Sequence, residues 1–264
     1  MPTPRKVPDD LWAEIEPLLP LPPPRSNGGR PRADERNLLD AMLYILWTGA
    51  PWRALPPEFG PWQTVYDRFA EWEQAKVFEH IWQRCLYLYD QAHGIDWAWQ
   101  AGDGTYVRSP LGGKETGPNP TDRAKAGVKD HLLSDRRGVP LSVLVTPANV
   151  NDSPMLAALL AQQVAVRPRP TRHAPHHLCL DAAYDNAPAH RVVLQENYQG
   201  HISPKAGRDE SLPPHQGAQA RRWVIERLHA WHDRFRRLVN NWEKKLERRN
   251  AFICLANALI AYRT

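Results

Sequence analysis

The hydrophobic pattern of the chain changes its period at about residue 95, and this change constrains the architecture more than any other feature. Before it, apolar residues recur at three- and four-residue steps, and proline-rich joints separate the segments. After it come short apolar runs typical of strands, of which 128–135 and 139–147 flank a turn at Arg137-Gly138. We therefore expect a helical region over residues 1–94 and an α/β region over residues 95–264.

The α/β region has a definite order of elements. Three apolar runs come first, followed by a helix, a short run ending at Asp181, a helix around 187–197 and a further short run in GHISPK. A long helical stretch from about Ala218 to Ala261 closes the chain. This order predicts a mixed α/β domain behind the helical one.

The composition of the 264 residues is that of an ordinary globular protein, because 42% are hydrophobic and 24% are charged. It excludes collagen-like, fibrous and wholly disordered chains. The 34 Lys and Arg residues outnumber the 29 Asp and Glu residues, and the net charge of +5 favours a polyanionic partner. Three scattered cysteines, no signal-peptide core and no apolar run of about 18 residues predict an intracellular protein with no membrane partner.

Three acidic residues stand where an α/β sheet could bring them together. Asp103 follows the first apolar run, Asp181 ends the fourth, and Glu226 lies in the last helical stretch. Acids at adjacent strand ends meet at one edge of such a sheet, and clustered carboxylates suit Mg²⁺, including the two-ion sites of phosphodiester chemistry. A turn or helix cap is the alternative for each acid, and Asp185 competes with Asp181 for the same role.

The last helical stretch is strongly basic. Residues 221–249 contain ten Lys or Arg and four Asp or Glu, and their net charge of +6 exceeds the charge of the whole chain. Such a helix would hold a phosphate backbone beside an acidic site. The alternative is a solvated surface helix with an ordinary ion pair between Arg222 and Glu226.

Five segments together resemble the transposases of bacterial insertion sequences, most closely insertion sequence family five, which are DDE enzymes with an RNase H-like core. The segments are residues 38–72, DGTYVRS (103–109), KDHLLSDRRGVPLSVLVTPANVNDSPM (129–155), LDAAYDN (180–186) and RRWVIERLHAWHDRFRRL (221–238). Their order and joint presence cover nearly the whole chain. The resemblance implies an RNase H-like mixed five-stranded sheet with flanking helices, preceded by an all-helical N-terminal domain.

The resemblance also implies a catalytic triad of Asp103, Asp181 and Glu226. These acids would hold two Mg²⁺ ions, with Mn²⁺ as a substitute. The choice of Asp181 over Asp185 follows from the family pattern D-x-x-Y-D, in which the catalytic acid comes first. Arg222 matches an arginine that precedes the glutamate by four residues in the wider group.

Two positions depart from the pattern of that wider group. Gln219 stands where a tyrosine is expected, and Asp233 stands where a basic residue is expected. Arg234, the next residue, is a candidate substitute for the missing basic group. These departures concern DNA contacts and leave the expected triad unchanged.

The resemblance assigns DNA binding to residues 1–94 and catalysis to residues 95–264. Within the first part, residues 36–48 and 62–73 would form a helix-turn-helix-like pair, whereas the alternative is a helical cap packed on the catalytic core. The candidate DNA-binding residues are Gln63, Arg68, Arg222, Arg234 and Arg237. The implied partner is double-stranded DNA, both the terminal inverted repeats of the element and the target. A homodimer or higher oligomer on DNA is expected, in the nucleoid of the bacterial cytoplasm.

The expected function is a transposase that cuts DNA at insertion-sequence ends and joins the freed 3′-hydroxyl to target DNA by two-metal transesterification. One alternative is an RNase H-like nuclease without strand transfer. Another is a non-catalytic DNA-binding protein descended from a transposase, which the presence of all three acids disfavours.

Overall fold

The computed structural model describes residues 6–21, 32–205, 207, 211–212 and 222–264. Gln219, one of the two positions that depart from the family pattern, lies outside these residues.

The first part of the chain is helical, as its hydrophobic period predicts. Its helices are α1 (Asp9–Ile15), α2 (Glu35–Thr48), α3 (Trp62–Gln74) and α4 (Val77–His93). The side chain of Asp34 caps α2 by accepting a hydrogen bond from the Asn37 amide, and Gly49 ends α2 in the left-handed region at φ 67°. Two single-turn 3₁₀ segments fill the connection from α2 to α3, which is therefore longer than a helix-turn-helix turn.

A mixed sheet forms the centre of the second part. Its strands are β1 (Trp99–Arg108), β2 (Gly117–Pro118), β3 (Ala126–Asp135), β4 (Pro140–Pro147), β5 (His176–Leu180) and β6 (Tyr198–Ile202). The five longer strands lie in the order β4-β3-β1-β5-β6, and the two-residue β2 pairs with the start of β3. The first three strands of that order are antiparallel, and β1, β5 and β6 are parallel. The predicted mixed α/β architecture is confirmed.

Helices cover both faces of this sheet. They are α5 (Asp152–Ala161), α6 (Ala187–Gln195), α7 (Trp223–His232), α8 (Arg236–Val239) and α9 (Leu246–Arg263). On one face, α5 brings Asp152 against Gly104, and α6 packs on Gly200 through Val193. On the opposite face lie α7 and α9, and the site described below is built on the side of α7.

The prediction of one continuous helix from Ala218 to Ala261 is wrong. Three separate helices, α7, α8 and α9, occupy the described part of that stretch. The segment between α8 and α9 turns back to the sheet, where the Asn241 amide donates to the Arg108 carbonyl at 2.8 Å. Inside the turn, Arg237 and Glu243 form a buried ion pair. These tertiary contacts override the helical period of the sequence.

The helical region and the sheet share one hydrophobic core. A single cluster of buried residues runs from α1 through the sheet to α9. Helix α9 is buried on all sides between residues 251 and 261, because α4 packs along one side and β4 along another. The predicted boundary at residue 94 therefore falls between two parts that pack as one body. In the described part of the chain, no helix has both the length and the apolar character needed to cross a membrane.

Candidate active site

Two of the three predicted acids lie side by side on neighbouring strands of the sheet. Strands β1 and β5 run parallel, and their last paired residues are Ala101 and Cys179. Asp103 and Asp181 each follow two residues later, so both carboxylates lie at the same level of neighbouring strands and on the same face. Asp181 remains in extended backbone before the chain turns into a short 3₁₀ segment.

The two carboxylates interact electrostatically. Partial burial raises the pKa of Asp181, and the charge of Asp103 raises it further. The backbone amide of Ala183, which donates to Asp181 Oδ1 at 2.9 Å, and the positive charge of Arg222 act in the opposite direction. Beneath the pair, burial and three nearby carboxylates raise the pKa of the Tyr184 hydroxyl, which stays protonated at neutral pH. The site therefore concentrates negative charge.

The third predicted acid belongs to α7, a helix that packs on β1 and β3. Glu226 lies on α7 with an exposed side chain. One turn later on the same helix, His229 places Nε2 3.8 Å from Asp103 Oδ2. Among the residues that the structure describes, no three His, Cys, Asp or Glu side chains are grouped so that they could hold a metal ion. The structure thus brings Asp103 and Asp181 together and leaves Glu226 on the adjacent helix, outside a closed three-ligand group.

Asp185, the rival of Asp181, has a different environment. Its side chain is buried, accepts a hydrogen bond from the Lys205 amide at 2.9 Å and contacts His190 Nε2 at 2.9 Å. These contacts tie the turn after β5 to α6 and to the end of β6. Asp185 is therefore engaged in holding the turn, whereas Asp181 faces the other acid.

A third carboxylate near the pair was not singled out from the sequence. Asp152, the first residue of α5, contacts Lys129 Nζ at 3.1 Å and His131 Nδ1 at 3.3 Å. Lys129 is almost fully buried, and its ammonium group also donates to the Val150 carbonyl at 3.0 Å. In the sequence, Lys129 and His131 alternate on one face of β3, a strand that otherwise consists largely of core residues. Two basic residues inside a core strand indicate a buried acidic partner, and this pattern could have pointed to Asp152.

Gly104 explains how Asp152 comes so close to β1. A Cβ atom at residue 104 would lie 2.3 Å from Asp152 Oδ1, so any larger residue would force the Asp152 carboxylate to move. A glycine directly after Asp103 allows the first turn of α5 to lie against the back of β1 without this displacement. This contact couples the position of Asp103 to α5.

The candidate DNA-binding residues fall into two groups. Arg68 is buried and forms ion pairs with Glu35 and Glu71, and Arg237 is buried with Glu243. Neither guanidinium is available to a phosphate in this structure, which does not support their predicted DNA contacts. Exposed side chains remain at Gln63 on α3 and at Arg234 after α7, and Arg222 is half-buried.

The environment of Arg222 links α7 to the acidic pair. Arg222 is the residue before the first turn of α7, and the Glu226 amide donates to its carbonyl at 3.2 Å. Its positive charge lowers the pKa of Asp181, opposing the effect of burial. Asp233, the second departure from the family pattern, is exposed at the end of α7.

Comparisons with known proteins match both parts of the chain. Residues 7–82 match a family described as "Putative transposase of IS4/5 family". Residues 101–262, more than half of the chain, match the family "Transposase DDE domain". This second match contains Asp103, Asp181 and Glu226.

Curated relatives agree with the family matches. A protein of Burkholderia cepacia named "Putative transposase for insertion sequence element IS402" is 35% identical over 156 residues, which are 58% of this chain and 71% of the relative. From the same organism, the "Insertion element IS402 uncharacterized 16.2 kDa protein" is 36% identical over 118 residues, or 43% of this chain and 80% of the relative.

A solved structure described as a pre-cleavage Mos1 transpososome matches 82% of this chain and 81% of its own, at 11% identity and a TM-score of 0.28. That TM-score is too low to transfer any structural detail. The family matches and the 35% identical relative are enough to assign the family without it. They confirm the resemblance found in the sequence. The chain belongs to the DDE-domain transposases of insertion sequences.

Proposed function

We propose that the protein cuts double-stranded DNA at the ends of an insertion sequence and joins the freed 3′-hydroxyl to target DNA. The observation that carries this proposal is the adjacency of Asp103, within β1, and Asp181, directly after the neighbouring parallel strand β5. Such a pair of carboxylates on neighbouring strands is the donor arrangement that metal-assisted phosphodiester chemistry uses. The family membership of the chain supports the same reaction class.

The donor set fits Mg²⁺. Carboxylate oxygens are hard ligands, and the mutual repulsion that raises the pKa of Asp181 is relieved by a divalent cation between the two groups. Asp103 and Asp181 would hold the metal, and Glu226 would complete the set from α7. When bound, two such ions lower the pKa of an attacking water or hydroxyl and stabilise the leaving 3′ oxygen.

The residues around the acids hold the site in place. Gly104 and Asp152 fix β1 against α5, so that the backbone of Asp103 has little freedom. Arg222 adds one positive charge beside Asp181, where it can orient a phosphate that approaches the acids. Gln63 and Arg234, both exposed, are the remaining candidates for contacts with DNA away from the acids.

A strand-transfer assay tests this function. The substrate is a labelled duplex in which the element's end is still joined to flanking DNA, mixed with supercoiled plasmid in Mg²⁺ or in EDTA. The proposal predicts that label joins the plasmid only when Mg²⁺ is present. Cutting without joining would identify a hydrolytic nuclease, and binding without either reaction would identify a non-catalytic DNA-binding protein. Either result would contradict the proposal. If the protein acts as an oligomer on DNA, a mixture of labelled duplexes of two lengths should give plasmids joined to one duplex of each length.

A further inference from the structure

A groove rich in arginine lies on the side of α7 away from the acidic pair. It is bounded by the turn between β3 and β4, by α7 and by the end of α9, and its volume is about 800 Å³. The residues that line it are Arg136, Arg137, Trp223, Arg227, Trp231 and Arg263. Asp96 and Thr264 complete the lining, in which four arginines outnumber the one acidic side chain. We name this feature the arginine groove.

Arg227, one of the residues that line the groove, is held in place by its neighbours. Its guanidinium lies 4.9 Å from the ring centre of Trp223 and 5.1 Å from that of Trp231, in an arrangement of cation–π contacts. One of its terminal nitrogens donates to the Arg137 carbonyl. Among the described residues, its buried Nε has no hydrogen-bond partner. The side chain is therefore ordered before any ligand arrives, which lowers the entropy cost of binding.

The turn between β3 and β4, which accepts a hydrogen bond from Arg227, is itself held in place. Arg137 donates to the carbonyls of His93 and Gly94, at 3.0 and 3.1 Å, and so ties the β3–β4 turn to the end of α4. Arg136, the preceding residue, is different: its side chain is 48% exposed, and its ion pair with Asp96 is 3.5 Å long. An exposed ion pair of this kind contributes little to the stability of the protein, so Arg136 can exchange Asp96 for another anion.

The composition of the groove points to one ligand class. Guanidinium groups match phosphate in a planar, bidentate geometry, and the exposed indole of Trp223 (56% exposed) adds an aromatic face for a sugar or base. The groove is open and lies between two helices and a turn, and four arginines line it, so it suits a ligand that carries several phosphates. The groove and the third predicted acid share one helix, since Trp223 and Arg227 lie within one turn of Glu226 on α7.

We propose that the arginine groove binds the phosphate backbone of DNA as a second contact surface, separate from the acidic pair. This proposal rests on the proposed function, because the strand in the groove is the continuation of the one presented to Asp103 and Asp181. Arg136 and Arg227 make the phosphate contacts. Trp223 and Trp231 hold Arg227 in position.

The test is the salt dependence of DNA binding without Mg²⁺, measured by fluorescence anisotropy with a short labelled duplex. The double variant R136A/R227A should flatten the slope of log affinity against log salt by nearly 2, since each lost phosphate contact contributes about 0.9. At 0.1 M salt the double variant should lose affinity by about 60-fold, since each contact contributes on the order of eightfold. The single variant R136A, at an exposed position, should show about half of this change and keeps the test valid if the double variant does not fold.

The control variant is R191A, an exposed arginine on α6 at the opposite face of the sheet. Its salt slope should equal that of the unmodified protein. An unchanged slope in R136A/R227A with an intact circular dichroism spectrum, or an equal flattening in R191A, overturns the proposal. The proposed function is tested separately with D181N. This variant should keep the full salt slope of DNA binding and lose cleavage. Cleavage by D181N would contradict the reaction itself, whatever the groove binds.

Discussion

At the scale of single residues, Asp181 and Asp185 show how burial assigns different roles to similar side chains four positions apart. The buried Asp185 carboxylate bonds the Lys205 amide and contacts His190, and these contacts hold a turn. Asp181 is partly exposed beside Asp103, where burial and repulsion raise its pKa. A charge kept in such a place costs stability, which is typical of groups retained for chemistry.

The raised pKa of Asp181 predicts that D181N stabilises the metal-free protein. Because the folded-state pKa exceeds the unfolded value, the ionised group lowers the free energy of unfolding above that pKa, and the penalty disappears as pH falls. The asparagine keeps the bond from the Ala183 amide but carries no charge. We expect a rise in Tm on the order of 1–2 °C at pH 7 in EDTA, shrinking toward zero near pH 4. A lower Tm at pH 7 would show that the charge of Asp181 is stabilising.

At the scale of secondary-structure elements, the contact of β1 with α5 through Gly104 has a measurable energy. The variant G104A would place a Cβ atom 2.3 Å from Asp152 Oδ1, and Lys129 restrains that carboxylate. We expect a loss of about 1–3 kcal/mol in the free energy of unfolding, from urea denaturation. In a D152A background the same change should cost less than about 1 kcal/mol, because the opposing atom is gone. Equal costs in both backgrounds would mean that the contact does not constrain β1.

The break between α7 and α9 leads to a second prediction at this scale, which concerns the ion pair inside the break. Arg237 and Glu243 are both buried, so R237A leaves an unpaired carboxylate in the interior and should lower the free energy of unfolding by about 3 kcal/mol. The exposed Arg234, three residues away, is the matched control, and R234A should change stability by less than about 0.5 kcal/mol. Equal stability of R237A and the unmodified protein would place Arg237 at the surface, as the sequence had suggested.

This break also marks the limit of what the sequence predicts about the fold. Apolar alternation and the turn at Gly138 are local signals, so the sequence predicts the longer strands. The order of elements follows from the same signals. Residues 233–245 contain neither glycine nor proline, so local preference allows a helix there. What ends the helix is distant in sequence: the Arg108 carbonyl and Ser109 bind Asn241. Likewise, the contact of Lys129 with Asp152 depends on strand pairing that no short segment contains.

At the scale of the whole molecule, the helical region is part of the support for the catalytic region. Helix α9 is buried on all sides between residues 251 and 261, and α4 supplies one of the surfaces that cover it. Removing residues 1–94 would expose that apolar helix to water. These residues, which the sequence predicts to bind DNA, therefore have a structural role.

We predict that a fragment of residues 95–264 does not fold on its own. Its thermal melt, followed by circular dichroism, should lack the cooperative transition of the full chain, and the fragment should aggregate. The full-length protein measured in the same buffer is the control. A fragment with a cooperative melt at the Tm of the full chain would establish two independent domains that meet at residue 94.

The central claim is that Asp103, Asp181 and Glu226 carry out metal-dependent cleavage of DNA, and one assay tests it most directly. Cleavage of a duplex containing the element's end is measured in Mg²⁺ for D103N, D181N, E226Q and D185N, alongside the salt-dependent binding of each variant. The account predicts that the first three variants lose cleavage by at least a factor of about 1,000 while retaining DNA binding, and that D185N retains measurable activity. Cleavage by D181N together with inactivity of a folded D185N would contradict the account.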